Sequence, residues 1–152
     1  MRDLLERLMP WEGSADAVNL CMAVFEWAND YDHVADRDLG AKPAEQSLHD
    51  AMWAIAVTIP ANPFYRAHPE LAVTLANGIS NWRASNELVK SKDVPDMILA
   101  HVLRWTLIEF FLHCARLVGG RAWADEQAPG FWRAMTRDHS FGEFVAEHTE
   151  AT

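Results

Sequence analysis

Prolines, glycines and short polar caps divide this chain into apolar stretches several helical turns long, and that spacing of breakers constrains its fold more than anything else. Ser14 stands where it can cap a helix running to about Ala35, and Asp36-Arg37-Asp38-Leu39-Gly40 is the turn that ends it. Pro43 suits the first turn of a second helix. That helix is expected to stop before Pro60, because Ile59-Pro60-Ala61-Asn62-Pro63 lacks donors and restricts the residue before each proline. Pro69 and Glu70 open a third helix reaching about Val89, and Asp93, with Pro95 and Asp96 behind it, opens a fourth that ends at Gly119-Gly120. Ser140 and Glu143 have the spacing of a capping box for a short last helix. No hairpin turn lies between alternating strands. The pattern predicts an all-α fold: a single domain, a compact bundle of four main helices with one or two short C-terminal helices.

With 152 residues, half of them apolar, and seven Trp and seven Phe, the chain can bury a sizeable core. Its acids outnumber its bases 22 to 13, for a net charge of −9. Such a balance opposes non-specific binding to nucleic acid or to an anionic membrane, and leaves room for a cation site, a basic partner or plain solubility. Cys21 and Cys114 have no metal-binding or redox spacing and read as small core residues of a reducing compartment. The N-terminal residues lack the apolar run of a signal peptide, and Arg104, Glu109 and His113 interrupt the longest apolar stretch. The expectation is a cytoplasmic protein with no membrane span.

Projection at about 100° per residue assigns each helix a core face. In the first long helix that face is Ala17, Cys21, Val24, Ala28, Tyr31 and Ala35, with Val18, Phe25, Asn29, Asp32 and Asp36 beside it. Glu26, Asp30 and His33 fall on the far side, so Asp30 reads as a solvated charge. In the second helix Leu48, Ala51, Met52, Ile55 and Ala56 are expected inward, Glu45 and His49 at the edge, and Asp50 outward. The third carries Leu71, Leu75, Ile79, Trp82 and Val89 inward, with Ser85 and Asn86 set into the stripe. The fourth is apolar nearly all round and therefore central, and the tryptophans are assigned to packing.

Asp32 and Asp36, one turn apart at the border of the core, repel each other until a divalent cation arrives. Asn29 or Asp38 can add an oxygen, and negative charge at a helix C-terminus also calls for a compensating cation or for water. Oxygen donors of this kind favour Mg²⁺ or Mn²⁺ over zinc. If Arg104 and His49 face the same cavity, they engage a phosphorylated small molecule, with Asn86 orienting it and the metal assisting attack of water on a phosphoanhydride. The bland alternatives are a solvated acidic helix end, an internal pair of Arg104 with an aspartate, a satisfied Asn86 amide, and Glu109 and His113 bonded to each other or to a neighbouring helix. A further alternative joins His49, Glu109 and His113 in a transition-metal site. No Gly-rich phosphate loop, nucleophile elbow or zincin motif is present.

Asp32-His33-Val34-Ala35-Asp36 resembles the aspartate-rich metal motif of α-helical isoprenoid synthases and the helix-borne carboxylates of all-α nucleotide pyrophosphohydrolases. In both families acids on facing helices hold magnesium against a diphosphate. The resemblance is confined to this short string: a second aspartate-rich motif, or paired Glu-x-x-Glu and Glu-x-x-Asp arrangements, do not accompany it. From Tyr31 through Asp38, and on to Asn62-Pro63-Phe64-Tyr65, Trp82 and Arg104, the chain is similar to small helical proteins of bacteriophages and prophages. That similarity implies a phage setting and no reaction type. Two readings follow. One is a Mg²⁺- or Mn²⁺-dependent hydrolase of a phosphorylated small molecule or nucleotide, without direct nucleic-acid binding. The other is a non-enzymatic structural or host-interaction protein of phage type, working as an acidic helical homo-oligomer.

Overall fold

The computed structural model describes residues 1–35, 42–137 and 139–150. Among the described residues every regular element is helical and no strand occurs, so the chain is all-α. The helices fall into two units, Met1–Pro69 and Glu70–Thr152.

In the first unit, α1 (Arg2–Leu8) buries Leu5 and Leu8 against α2 (Ala15–Ala35). Ser14 stands at the start of α2 as expected, but its hydroxyl does not serve the helix. It lies 2.7 Å from the Met9 carbonyl and 2.8 Å from the Trp11 carbonyl, and donates back into the preceding loop. Next come α3 (Ala44–Trp53), a π-helical turn over Ala54–Thr58, α4 (Ile59–Ala61) and α5 (Pro63–Ala67). Helical structure thus runs through Pro60, contrary to expectation. In the wider turn the Ile59 N–H reaches back to the Ala54 carbonyl, and Pro60 follows in the first turn of α4, where its missing donor costs little. The chain breaks at Asn62 instead, in extended backbone (ψ 129°). The Asn62 Oδ1 accepts from the N–H groups of Phe64 and Tyr65 at 2.9 and 3.1 Å, and its Nδ2 donates to the Asp16 carbonyl of α2 at 3.0 Å. One side chain therefore caps α5 and pins it to α2.

The second unit opens with α6 (Leu71–Leu88), which tightens into a 3₁₀ turn at Val89–Ser91 and ends at Lys92 in the left-handed conformation. The single fourth helix expected from sequence is two, α7 (Val94–Arg104) and α8 (Ile108–Gly119). Between them the N–H groups of Trp105 and Thr106 bond three residues back, and the Thr106 hydroxyl donates to the Leu103 carbonyl at 2.8 Å. The side chain thereby competes for the carbonyls that would continue the helix. Gly78 of α6 meets this corner: a Cβ there would lie 3.1 Å from Leu107 Cδ1, so the missing side chain is what permits the approach. The α8 helix is the central one. Ile108, Phe110, Phe111, Leu112, Cys114 and Ala115 are all buried, and Phe111 meets Phe110 and Phe131 edge-on at 6.2 Å each. The helix α9 (Arg121–Thr136) is longer than the short C-terminal helices expected and contains Pro129, while α10 (Phe141–Glu150) begins at the predicted capping box. There the Ser140 N–H donates to Glu143 at 2.8 Å and the Glu143 N–H donates to the Ser140 hydroxyl at 3.2 Å.

Several apolar faces point the other way from expectation. In α3 and the π turn, Leu48, Met52, Ile55 and Ala56, expected inward, are exposed, as are Trp53 and Val57, while Ala51 is buried as expected and Ser47 is buried beside it. In α7 only Met97 and Ala100 are buried, packed with Phe144 of α10. Of the seven tryptophans, Trp27 alone is buried. The stretch Val94–Gly119 reaches, by length and mean hydropathy (1.3), what a membrane-crossing helix requires, despite the interruptions noted in its sequence. It is broken at Trp105–Leu107, and α8 supplies the core of its unit.

Candidate functional site

An open cleft of 240 Å³ lies between α2 and α3 of the first unit, floored at one end by the π turn. From α2 come Ala23, Glu26, Trp27 and Asp30. Lys42 enters ahead of α3, which adds Asp50 and Trp53, and the π turn adds Ala54 and Thr58. Residues i, i+3 and i+7 share a helix face, so Ala23, Glu26 or Trp27, and Asp30 line up along α2 as a consequence of its period. The wider π turn sets Ala54 and Thr58 on the same wall as Trp53.

The Lys42 ammonium sits between two carboxylates, 2.9 Å from Asp30 Oδ1 and 3.2 Å from Asp50 Oδ2. Hydrogen bonds to Asp30 and then to Asp50 hold it above its ordinary value of 10.5, so it remains charged throughout the neutral range. Asp30, which helix projection assigned to solvent, is the buried member, its side chain 11 % exposed, and Asp50 is half-buried rather than outward. Among the described residues, three carboxylates, Glu26, Asp30 and Asp50, thus line the cleft against one ammonium. Trp53, 57 % exposed, forms the rim, with the His49 imidazole stacked on it at 6.4 Å and 3.7 Å from Asp50. Trp27 stacks on Tyr31 at 5.9 Å.

The residues singled out from sequence are distributed otherwise. Asp36 and Asp38 lie outside the described residues. Asp32 is partly buried near the end of α2, and Asn29 is exposed on the neighbouring face. Among the described residues no group of three or more His, Cys, Asp or Glu side chains is arranged to hold a metal ion. His49 is exposed at the cleft rim. Asn86 and Arg104 are brought together in the second unit: Arg104 donates to Asn86 Oδ1 at 2.8 Å, with its guanidinium over the rings of Trp82 and Phe144 at 5.8 and 5.6 Å. Among the described residues Arg104 is therefore paired with an amide and two aromatic faces rather than with the aspartate of the internal pair weighed as an alternative. Glu109 and His113 do not bond each other. His113 shares a hydrogen bond with Thr74 of α6 at 2.8 Å, and Glu109 lies 3.8 Å from Arg116.

Asp30, Lys42, Asp50 and Trp53 were not among the residues singled out from sequence. Their signal was present but faint: Leu20 and Trp27, seven residues apart, mark a second apolar line along α2 that continues into Asp30. No protein-family model matches the chain, and no curated protein or solved structure matches it either.

Proposed function

We propose that the protein is a non-catalytic binding module that captures a basic, partly apolar segment of a protein partner in the α2–α3 cleft. The observation that carries this reading is the excess of carboxylates over ammonium in a cleft whose rim is an exposed tryptophan. A lysine or arginine side chain entering there would meet Glu26 and Asp50, with its stem and charge against the Trp53 ring. Trp53 and the neighbouring Ala54 give the cleft an apolar edge against which the aliphatic part of such a segment would lie. Net charge of −9 adds attraction at long range. A π turn within the wall is also common at binding sites.

Fluorescence anisotropy with a labelled arginine-rich amphipathic peptide, and with an acidic peptide of equal length, tests the reading. Binding of the basic peptide alone, weakened about tenfold by Trp53→Ala and by Asp50→Asn, is the expected result. Equal binding of the acidic peptide, or indifference to both substitutions, would remove the proposal. Calorimetric titration with Mg²⁺ and Mn²⁺ belongs beside it: binding abolished by Asp32→Ala would replace the module with the metal-dependent hydrolase.

A further inference from the structure

The α7 helix turns most of its apolar surface outward. Val94 is 65 % exposed, Ile98 48 %, Leu99 54 % and Val102 54 %, whereas only Met97 and Ala100 are buried beneath them. Val94, Ile98 and Val102 follow one another at intervals of four and form a single stripe, with Leu99 on its flank. Phe141 of α10, 36 % exposed, continues the patch past His101, whose ring it meets edge-on at 5.7 Å. A continuous patch of this kind usually marks a contact surface.

Two features of the stripe suit it to a second copy of the chain. The stripe is a palindrome about Ile98, with a valine four residues to either side. An antiparallel two-fold axis through Ile98 would place Val94 of one copy against Val102 of the other, and Leu99 against Leu99. Self-complementary contact of this form is what a two-fold dimer requires. The second feature is charge. A chain of net charge −9 repels its own copy over most approaches, yet the Val94–Ile98–Val102 stripe of α7 carries no carboxylate. Asp93 and Asp96, the acids at the start of α7, project to the opposite side of the helix from Ile98. Antiparallel pairing would also set each helix dipole against the other.

We infer that the Val94–Ile98–Val102 face of α7 is a homodimer interface, packed antiparallel against the same face of a second copy. Four half-exposed aliphatic side chains and one phenylalanine cover less than the surface of a standard stable interface, about 800 Å² per partner. The dimer is therefore weak and concentration-dependent. This inference is independent of the α2–α3 cleft, in the other unit of the chain.

Sedimentation velocity of the full chain over a hundredfold concentration range tests it, with circular dichroism to verify helix content. The expected result is a shift from monomer to dimer that Ile98→Glu abolishes at unchanged helicity. A gentler second variant, Ile98→Cys, places a thiol on the proposed axis. It should give a covalent dimer with a short bismaleimide, while Val73→Cys, a more accessible control on α6, should not. A monomer at every concentration, a dimer indifferent to Ile98→Glu, or equal crosslinking through Val73→Cys would each overturn the interface. So would flotation with neutral phosphatidylcholine vesicles that Ile98→Glu abolishes, which would assign the face to a lipid surface.

Discussion

Asp30 and Asp50 hold the same ammonium from different environments, and their substitutions should differ accordingly. Asp30 is nearly covered, so Asp30→Asn removes a charge-assisted bond inside the fold and should cost on the order of 1–3 kcal/mol. The Asp50 side chain is 38 % exposed and screened by solvent, so Asp50→Asn should cost about 0.2–1 kcal/mol. Urea denaturation of the two variants checks the order. His101 supplies a pH dependence. Burial, then the charges of Arg104 and His139, hold its imidazole below the ordinary value of 6.5. The unfolded chain therefore takes up this proton first as pH falls. The contribution of His101 to stability is complete above about 6.5 and is lost as pH falls through its lowered folded value. Thermal unfolding between pH 7.5 and pH 5 should show a decline that His101→Gln flattens. At this scale the sequence was half legible. A guanidinium in an apolar stretch must find a partner, and Arg104 does; nothing in the spacing says that the partner is Asn86 with two aromatic rings. Asp30 was misplaced because projection assumes that a helix has one covered side, whereas α2 contacts α1, α3 and α5.

Elements were legible wherever a side chain completes the backbone. Ser140 with Glu143 is such a case, whereas the Asn62 cap went unread because the two prolines had seemed to exclude a helix there. The α9 helix was hidden because Pro129-Gly130 reads as a break, yet both lie on an exposed side where a lost bond is tolerated. The corner between α7 and α8 was hidden for the opposite reason: Thr106 is a modest residue within an apolar run, and it is Gly78 on a distant helix that makes room. Gly78→Leu should therefore destabilise by about 1–3 kcal/mol through overpacking against Leu107. In Gly78→Ala, a propensity gain of roughly 1 kcal/mol offsets a contact that the end of the Leu107 side chain can relieve, and stability should hardly change. Phe111→Ala should cost about 3–5 kcal/mol, since its ring is buried between two others. Chemical denaturation measures all three.

For the molecule as a whole, charge separates the two proposed contacts. Capture of a basic segment is an attraction between opposite charges and should weaken as sodium chloride rises from about 0.05 to 0.5 M. Pairing through α7 brings two acidic chains together and should tighten over the same range, because salt screens their repulsion. Anisotropy and sedimentation across that range should show opposite slopes. The all-α class was legible at this scale from the breaker pattern; which apolar faces stay uncovered was not, since periodicity shows that a helix has a greasy side but not whether anything lies on it. One arrangement gives the experimenter a built-in probe. Each unit carries a single cysteine sealed in its core, Cys21 in the first and Cys114 in the second. Pulsed alkylation followed by peptide mass mapping would thus clock how often each half opens, separately and in the native chain, with no label to introduce.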